Sequence, residues 1–378
     1  MKAMSLGSGF DGCRTGGEDG FLSWTRFIGR ALFSSSAVTP PDGDPPLDLL
    51  SRAALGPALH VALRSRDDER AAVLEDVHAG SSAQSIVLFE LAERVRDWLE
   101  EADVPFVALK GVQSVARFCA DDMAARPLAD VDMLVGRRDF PFVLDKLLAK
   151  GLCLSKPHKP FTNRWACSIS LVSKQGRMKA MLDLHQALHN WPLLSSMSRW
   201  VMDTREEVGG WPVPSIPASL LIIAAHRFRH AFMGDAREVL DAAWLLRAAS
   251  RDIWFDTLDA AGRYDLLPAL YVVMWQAVHW FGGSDEDKRR VLDLRASVGA
   301  VRSYALEKLI SLEAGVTRGS SLPGGFVGLY LPMPLAMTGI LPPLVAMAGY
   351  TGSRVMDEVV TGGRSGLVSR LVGRRVGE

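Results

Sequence analysis

Apolar and polar positions alternate along this chain with two different periods, and the change of period divides it. From Ser82 to Ala102 the apolar residues Ile86, Leu88, Phe89, Leu91, Ala92, Val95, Trp98 and Leu99 recur at helical spacing between Glu and Arg. A Val104-Pro105 break leads into Pro105-Phe-Val-Ala-Leu109, a short apolar strand, and Lys110-Gly111 turns the chain into a helix through about Phe118. Val131 to Val135 predicts a second buried strand, and Asp139 to Lys150 an amphipathic helix ending at Gly151. Strands follow at Leu152 to Ser155, Ala166 to Ser173 and Met178 to Leu184, with Lys174-Gln-Gly176 as a hairpin turn. Helices and strands in this order predict an α+β protein: an α/β core with a mixed sheet flanked by helices, over residues 82–190.

Beyond Pro217 the pattern becomes wholly helical. Ala218–Phe232, Ala236–Ala249, Trp254–Ala261, Leu266–Phe281 and Asp285–Leu312 all carry the helical period, which predicts an α-helical domain with short connections. The tryptophans Trp244, Trp254, Trp275 and Trp280 fall at core positions. Residues 1–46 are Gly-rich at the start and end in Thr39-Pro-Pro-Asp-Gly-Asp-Pro-Pro46, the chemistry of a flexible leader, with Phe27 to Phe33 as a short apolar insert able to dock elsewhere. The expected organisation is therefore a leader at 1–46, a catalytic domain at 47–215, a helical domain at 216–315, and a Pro/Gly-rich apolar segment with a basic tail at 316–378.

Composition narrows the setting. Lys plus Arg and Asp plus Glu each number 43, so no global charge points to long nucleic acid, and any anion site must be local. Cys13, Cys119, Cys153 and Cys167 show no C-x-x-C spacing, and the first residues lack a basic start and apolar core. Both point to the cytoplasm. Between Arg318 and Arg354 no residue is charged, yet Pro323, Pro332, Pro334, Pro342 and Pro343 break any straight helix. Two readings stand for this stretch: a buried or disordered segment, or peripheral membrane contact through 320–353 backed by the basic residues that follow.

Chemistry concentrates in Arg126-Pro-Leu-Ala-Asp130-Val-Asp132-Met-Leu-Val135. Side chains at i and i+2 of a strand share a face, so Asp130 and Asp132 project together and call for a cation. Met181-Leu-Asp183-Leu-His185 repeats the device. If the two strands are neighbours, three carboxylates converge and can hold two Mg²⁺ ions, which prefer oxygen ligands. Lys110-Gly111 offers a point charge and a close backbone approach for phosphate, and Arg126 has two readings, a bidentate phosphate contact or an Arg-Pro loop paired to an acid. His185 has three readings: orienting Asp183, touching nucleotide, or a hydrogen-bonded core histidine. His226 lacks the Glu of an H-E-x-x-H motif, which excludes a metalloprotease of that type. Packing against the catalytic domain is its expected role, and Asp241 is a candidate to cap that interface.

Together, Phe106-Val-Ala-Leu-Lys110-Gly111, Arg126-Pro127-x-x-Asp130-Val-Asp132-Met-Leu-Val135 and Leu182-Asp183-Leu-His185 resemble the uncharacterised bacterial nucleotidyltransferase family of the DNA polymerase β superfamily. Leu220 to His226 and Val239 to Leu246 look like that family's downstream segments, so the resemblance covers about residues 85–250. It implies a nucleotidyltransferase fold, two Mg²⁺ ions on Asp130, Asp132 and Asp183, and nucleotide contacts from Lys110, Gly111, Arg126 and His185. The implied reaction moves a nucleoside monophosphate from ATP or another NTP to a hydroxyl of an unidentified small molecule, peptide or protein. Where the superfamily has Gly-Ser or Gly-Gly at the turn, this chain has Gly111-Val112. The alternative is a non-catalytic, regulatory nucleotide-binding protein on the same fold.

Overall fold

The computed structural model describes residues 16–33, 38–156, 167–175, 178–188, 195–229, 232, 236–300, 302–304, 306 and 307. The uncharged stretch between Arg318 and Arg354 lies outside the described residues, as does the basic tail. Among the described residues no helix is long and apolar enough to cross a membrane.

Five strands form one mixed sheet: β1 (Phe106–Leu109), β2 (Val131–Val135), β3 (Cys153–Leu154), β4 (Ser168–Gln175) and β5 (Met178–His185), in the order β1-β2-β5-β4-β3. Only β2 and β5 run parallel; the other neighbours are antiparallel. Every residue of β1 and β2 is buried, because the sheet separates two hydrophobic cores. Phe106, Ala108, Val131, Met133, Leu182 and Leu184 enter one core, while Val107, Leu109 and Leu134 enter the other. Alternation along a strand makes this division. It also assigns Asp132 to the face of Leu134, and Asp183 and His185 to the face opposite Leu182 and Leu184.

Helices α4 (Glu75–Glu101) and α6 (Phe140–Ala149) cover the first face, through Leu88, Leu91, Val95, Val143 and Leu147. The second core is mainly helical. It gathers α8 (Ile216–Arg229), α9 (Arg237–Ala248), α10 (Arg251–Arg263), α11 (Leu267–Phe281) and α12 (Asp285–Val298). Short α5 (Lys110–Phe118) leaves β1 directly, α7 (Ser195–Asp203) follows β5, and β6 (Glu206–Val208) pairs with β7 (Trp211–Val213) in a small hairpin.

Part of the expected leader is a packed helix. In α1 (Gly16–Phe33), Trp24, Phe27 and Ile28 are buried in the helical core, and a Cβ on Gly29 would lie 2.1 Å from the Phe281 carbonyl oxygen. The Phe27–Phe33 insert thus docks, as part of a longer amphipathic helix whose glycine permits close approach. Helices α2 (Leu47–Arg52) and α3 (Gly56–Arg64) also place Leu50, Leu55, Leu59 and Leu63 in the helical core, although they precede the sheet in sequence.

Candidate active site

Pairing between β2 and β5 sets Asp132 opposite Asp183, and between β1 and β2 sets Leu109 opposite Asp132. The two carboxylates therefore stand side by side on adjacent strands, beside the turn that leads from β1 into α5. One ligand atom from each of Asp132, Asp183 and His185 lies within 4.8 Å of the others. Asp130 precedes β2 and is half-buried at the rim.

Asp132 is 2% exposed and accepts hydrogen bonds at one oxygen, Oδ1, from Lys110 Nζ at 3.1 Å and His185 Nε2 at 2.8 Å. Burial opposes its charge, but Lys110 and His185 overcome that penalty and hold the carboxyl well below the usual carboxylate range. Burial works against the His185 imidazolium as well. Its bond to Asp132 and a contact with Cys167 nevertheless raise it to about 9. Asp130, by contrast, is pushed up to about 6 by burial and by Asp132, against the pull of Lys110. Asp183 Oδ1 is buried and has no hydrogen-bond partner among the described residues.

Lys110 takes a left-handed backbone, φ 46°, at the first position of α5. That conformation costs an L-residue on the order of 1 kcal/mol. It aims the side chain back across the sheet. Burial disfavours the ammonium, yet Asp132, then Glu238 and Asp130, raise its pKa. Gly111 itself is not in the left-handed region. A Cβ there would meet Leu128 Cδ2 at 2.6 Å, so its glycine serves the packing of the turn against the loop before β2.

Of its two readings, phosphate contact and pairing with an acid, Arg126 takes the second. It is 4% exposed, with Nε 2.8 Å from Asp241 Oδ1 and Nη2 2.7 Å from Asp241 Oδ2, while Nη1 donates to the Pro127 carbonyl at 2.8 Å. Its guanidinium ties the loop before β2 to α9, where Asp241 was expected to cap an interface. On the same helix Glu238, which sequence reasoning passed over, sits 2.7 Å from His226 Nδ1. Burial pushes the Glu238 carboxyl up, but His226 and then Lys110 bring it below its ordinary value. The signal available was its i, i+3 spacing to Asp241, which puts both acids on the face of α9 turned to the sheet.

The donor set is compatible with a divalent cation: two carboxylates and an imidazole converge, and one buried carboxylate oxygen lacks any partner. A mixed sheet flanked by helices, with an appended helical region, is the α+β nucleotidyltransferase fold. The chain belongs to the family described as uncharacterised nucleotidyltransferases, whose sequence model matches residues 40–282, well over half its length. It is accordingly a transferase enzyme. No curated protein matches it.

Proposed function

We propose that this protein transfers a nucleoside monophosphate from an NTP to an acceptor hydroxyl, with Mg²⁺ held by Asp130, Asp132 and Asp183. The observation that carries this reading is the parallel register that pairs Asp132 with Asp183 beside the Lys110 turn. Bound Mg²⁺ ions would neutralise triphosphate charge and make the acceptor hydroxyl more acidic. In the overall reaction the acceptor oxygen bonds to the α-phosphorus, the bond from that phosphorus to the bridging oxygen breaks, and pyrophosphate leaves with the electron pair. His185 is a positioning residue that fixes Asp132. Asp183, with Oδ1 bare, completes the metal set or takes the hydroxyl proton. Lys110 and the N-terminus of α5 at Gly111 receive phosphate charge. Scattered cysteines and the need for NTP support a cytoplasmic setting, and neutral net charge supports a small molecule, peptide or protein as acceptor.

The test is incubation of the purified chain with each α-labelled NTP, Mg²⁺ and cell extract, following both pyrophosphate and label. Asp183→Asn is the cleanest variant, because among the described residues that side chain holds no ion pair whose loss would disturb the fold. A folded Asp183→Asn protein should lose turnover by about 10²-fold or more. Unchanged pyrophosphate release in this variant overturns the assignment. Nucleotide binding with neither Mg²⁺ dependence nor turnover in the wild type would favour the non-catalytic alternative.

A further inference from the structure

A cavity of about 510 Å³ opens among α1, α9, α11 and α12. It lies at the far end of α9 from the carboxylates. Glu238 begins that helix beside Lys110, whereas Arg247 ends it in the cavity, a separation of about 14 Å at 1.5 Å per residue. The size suits a small ligand.

Its lining is cationic. Arg26, Arg30, Arg247 and Lys288 contribute, and no carboxylate does among the described residues. Arg247 donates to the carbonyls of Gly29 (3.1 Å), Phe281 (3.3 Å) and Gly282 (2.9 Å), and its guanidinium lies 3.7 Å from the centre of the Phe33 ring. Arg26 Nε donates to the His279 carbonyl at 3.2 Å. Carbonyl partners fix the Arg247 guanidinium, and the charge of Asp287 reaches it. Among the described residues neither Arg247 nor Arg30 has a carboxylate at ion-pair distance.

The nearby acids of the first turn of α12 have partners of their own, one of them the lining Lys288. Asp285 is exposed and pairs with Lys288 at 3.0 Å, and Asp287 folds back on the Ser284 cap. His279 reports the field. Burial, and then Arg26, push its pKa down to about 4. Two aromatic residues also line it: the Trp275 and His279 rings stack on each other, 4.8 Å apart at 15°.

A fixed Arg247 guanidinium with Arg30 beside an aromatic pair suits a ligand that carries both phosphate and a planar ring. We propose that this cavity is a second, non-catalytic binding site for a phosphate-bearing small molecule with a planar ring, such as a nucleotide. It stands on residues separate from the carboxylate site and does not depend on the reaction proposed there.

Calorimetry on the full chain in EDTA tests it, with ADP, inorganic pyrophosphate and adenosine as probes. ADP should bind at one site per chain, pyrophosphate more weakly, and adenosine not measurably. The double reversal Arg30→Glu with Lys288→Glu touches two solvent-reaching side chains and should weaken ADP at least tenfold, with unchanged circular dichroism. Asp183→Asn should leave metal-free ADP affinity as in the wild type. The proposal is overturned if the wild type gives no ADP heat at millimolar concentration. It is equally overturned if ADP affinity survives the double reversal, which would put the nucleotide elsewhere. Pyrophosphate binding as tight as ADP would remove the aromatic pair from the proposal and leave a simple phosphate site, contradicting it as stated.

Discussion

Replacing Arg126 with Ala removes half of a buried ion pair that fastens the loop before β2 to α9. Arg126 is 4% exposed and Asp241 1%, and the contact is bidentate, with Nε–Oδ1 at 2.8 Å and Nη2–Oδ2 at 2.7 Å. Burial pushes the Asp241 carboxyl up against the pull of Arg126, so the intact pair recovers little beyond its own desolvation. Removing one partner is different, since it strands a charge in a dry site at a cost of about 3–5 kcal/mol. That is a large part of a typical domain's stability of about 5–15 kcal/mol. Replacing both partners with apolar residues of similar volume, Arg126→Met with Asp241→Leu, should cost far less. The residual loss is about 1 kcal/mol, for Ser114, which also bonds Asp241, and for the Pro127 carbonyl. Urea denaturation followed by circular dichroism measures both variants, and a double-mutant cycle isolates the coupling. An Arg126→Ala protein within about 1 kcal/mol of the wild type would refute the reasoning. So would a double variant as unstable as the sum of the singles. If Arg126 instead served nucleotide, Arg126→Ala would leave stability nearly unchanged and raise KM for NTP.

Three further outcomes follow from the same geometry. Asp132→Asn leaves Lys110 and His185 facing a neutral group and should lower stability by about 3 kcal/mol, whereas Asp183→Asn relieves like-charge repulsion and should leave stability the same or slightly higher; thermal melts compare them. Gly29→Ala drives a Cβ to 2.1 Å from the Phe281 carbonyl oxygen; a loss of about 3 kcal/mol in urea is expected, and a silent substitution would mean that α1 does not seat there. His279 falls from an ordinary 6.5 to about 4 in the fold, so on acidification the unfolded chain takes its proton first. Stability from this group is full above pH 6.5 and is lost progressively down to pH 4, by about 3 kcal/mol, and a His279→Gln variant should flatten that part of the profile.

Where chain pattern and local chemistry coincide, the fold is legible in the sequence. Val131 to Val135 reads as a buried strand because apolar residues flank Asp132 on both sides, and β2 spans those residues. The helices after Pro217 are equally plain, with ends shifted by a few residues, except that the run read from Asp285 to Leu312 ends at Val298, before Gly299 at φ 91°. Missing from the sequence are facts that belong to distant partners. The glycines and acids around Gly16 to Gly20 look like a leader, and Trp24, Phe27 and Ile28 make a helix face only once α11 supplies the groove for Gly29. Arg126 reads equally as a phosphate ligand or as half of an acid pair, and its partner Asp241 lies too far along the chain to be named from sequence. The Asp132–Asp183 proximity hangs on strand order, which two separate apolar runs do not state.

The same register creates a problem that the fold has to solve. Two carboxylates paired across adjacent strands repel, and burial removes the water that would screen them. Lys110 and His185 offset this by both donating to Asp132 Oδ1, while Asp183 Oδ1 remains bare. With Asp132 already neutralised, the sheet can form without a cation, unlike small metal-dependent domains whose folding requires the ion. The arrangement divides the acids: Asp132 is held by two donors, and Asp183 keeps an oxygen with no hydrogen-bond partner among the described residues. Lys110 adds a further link, because the charge of Glu238 on α9 also acts on it. On the proposed function, a phosphate entering beside the turn would compete for this ammonium with an acid from the sheet and an acid from the helical region. Its affinity for the turn would then depend on how α9 is docked, through Asp241 and Arg126 among other contacts.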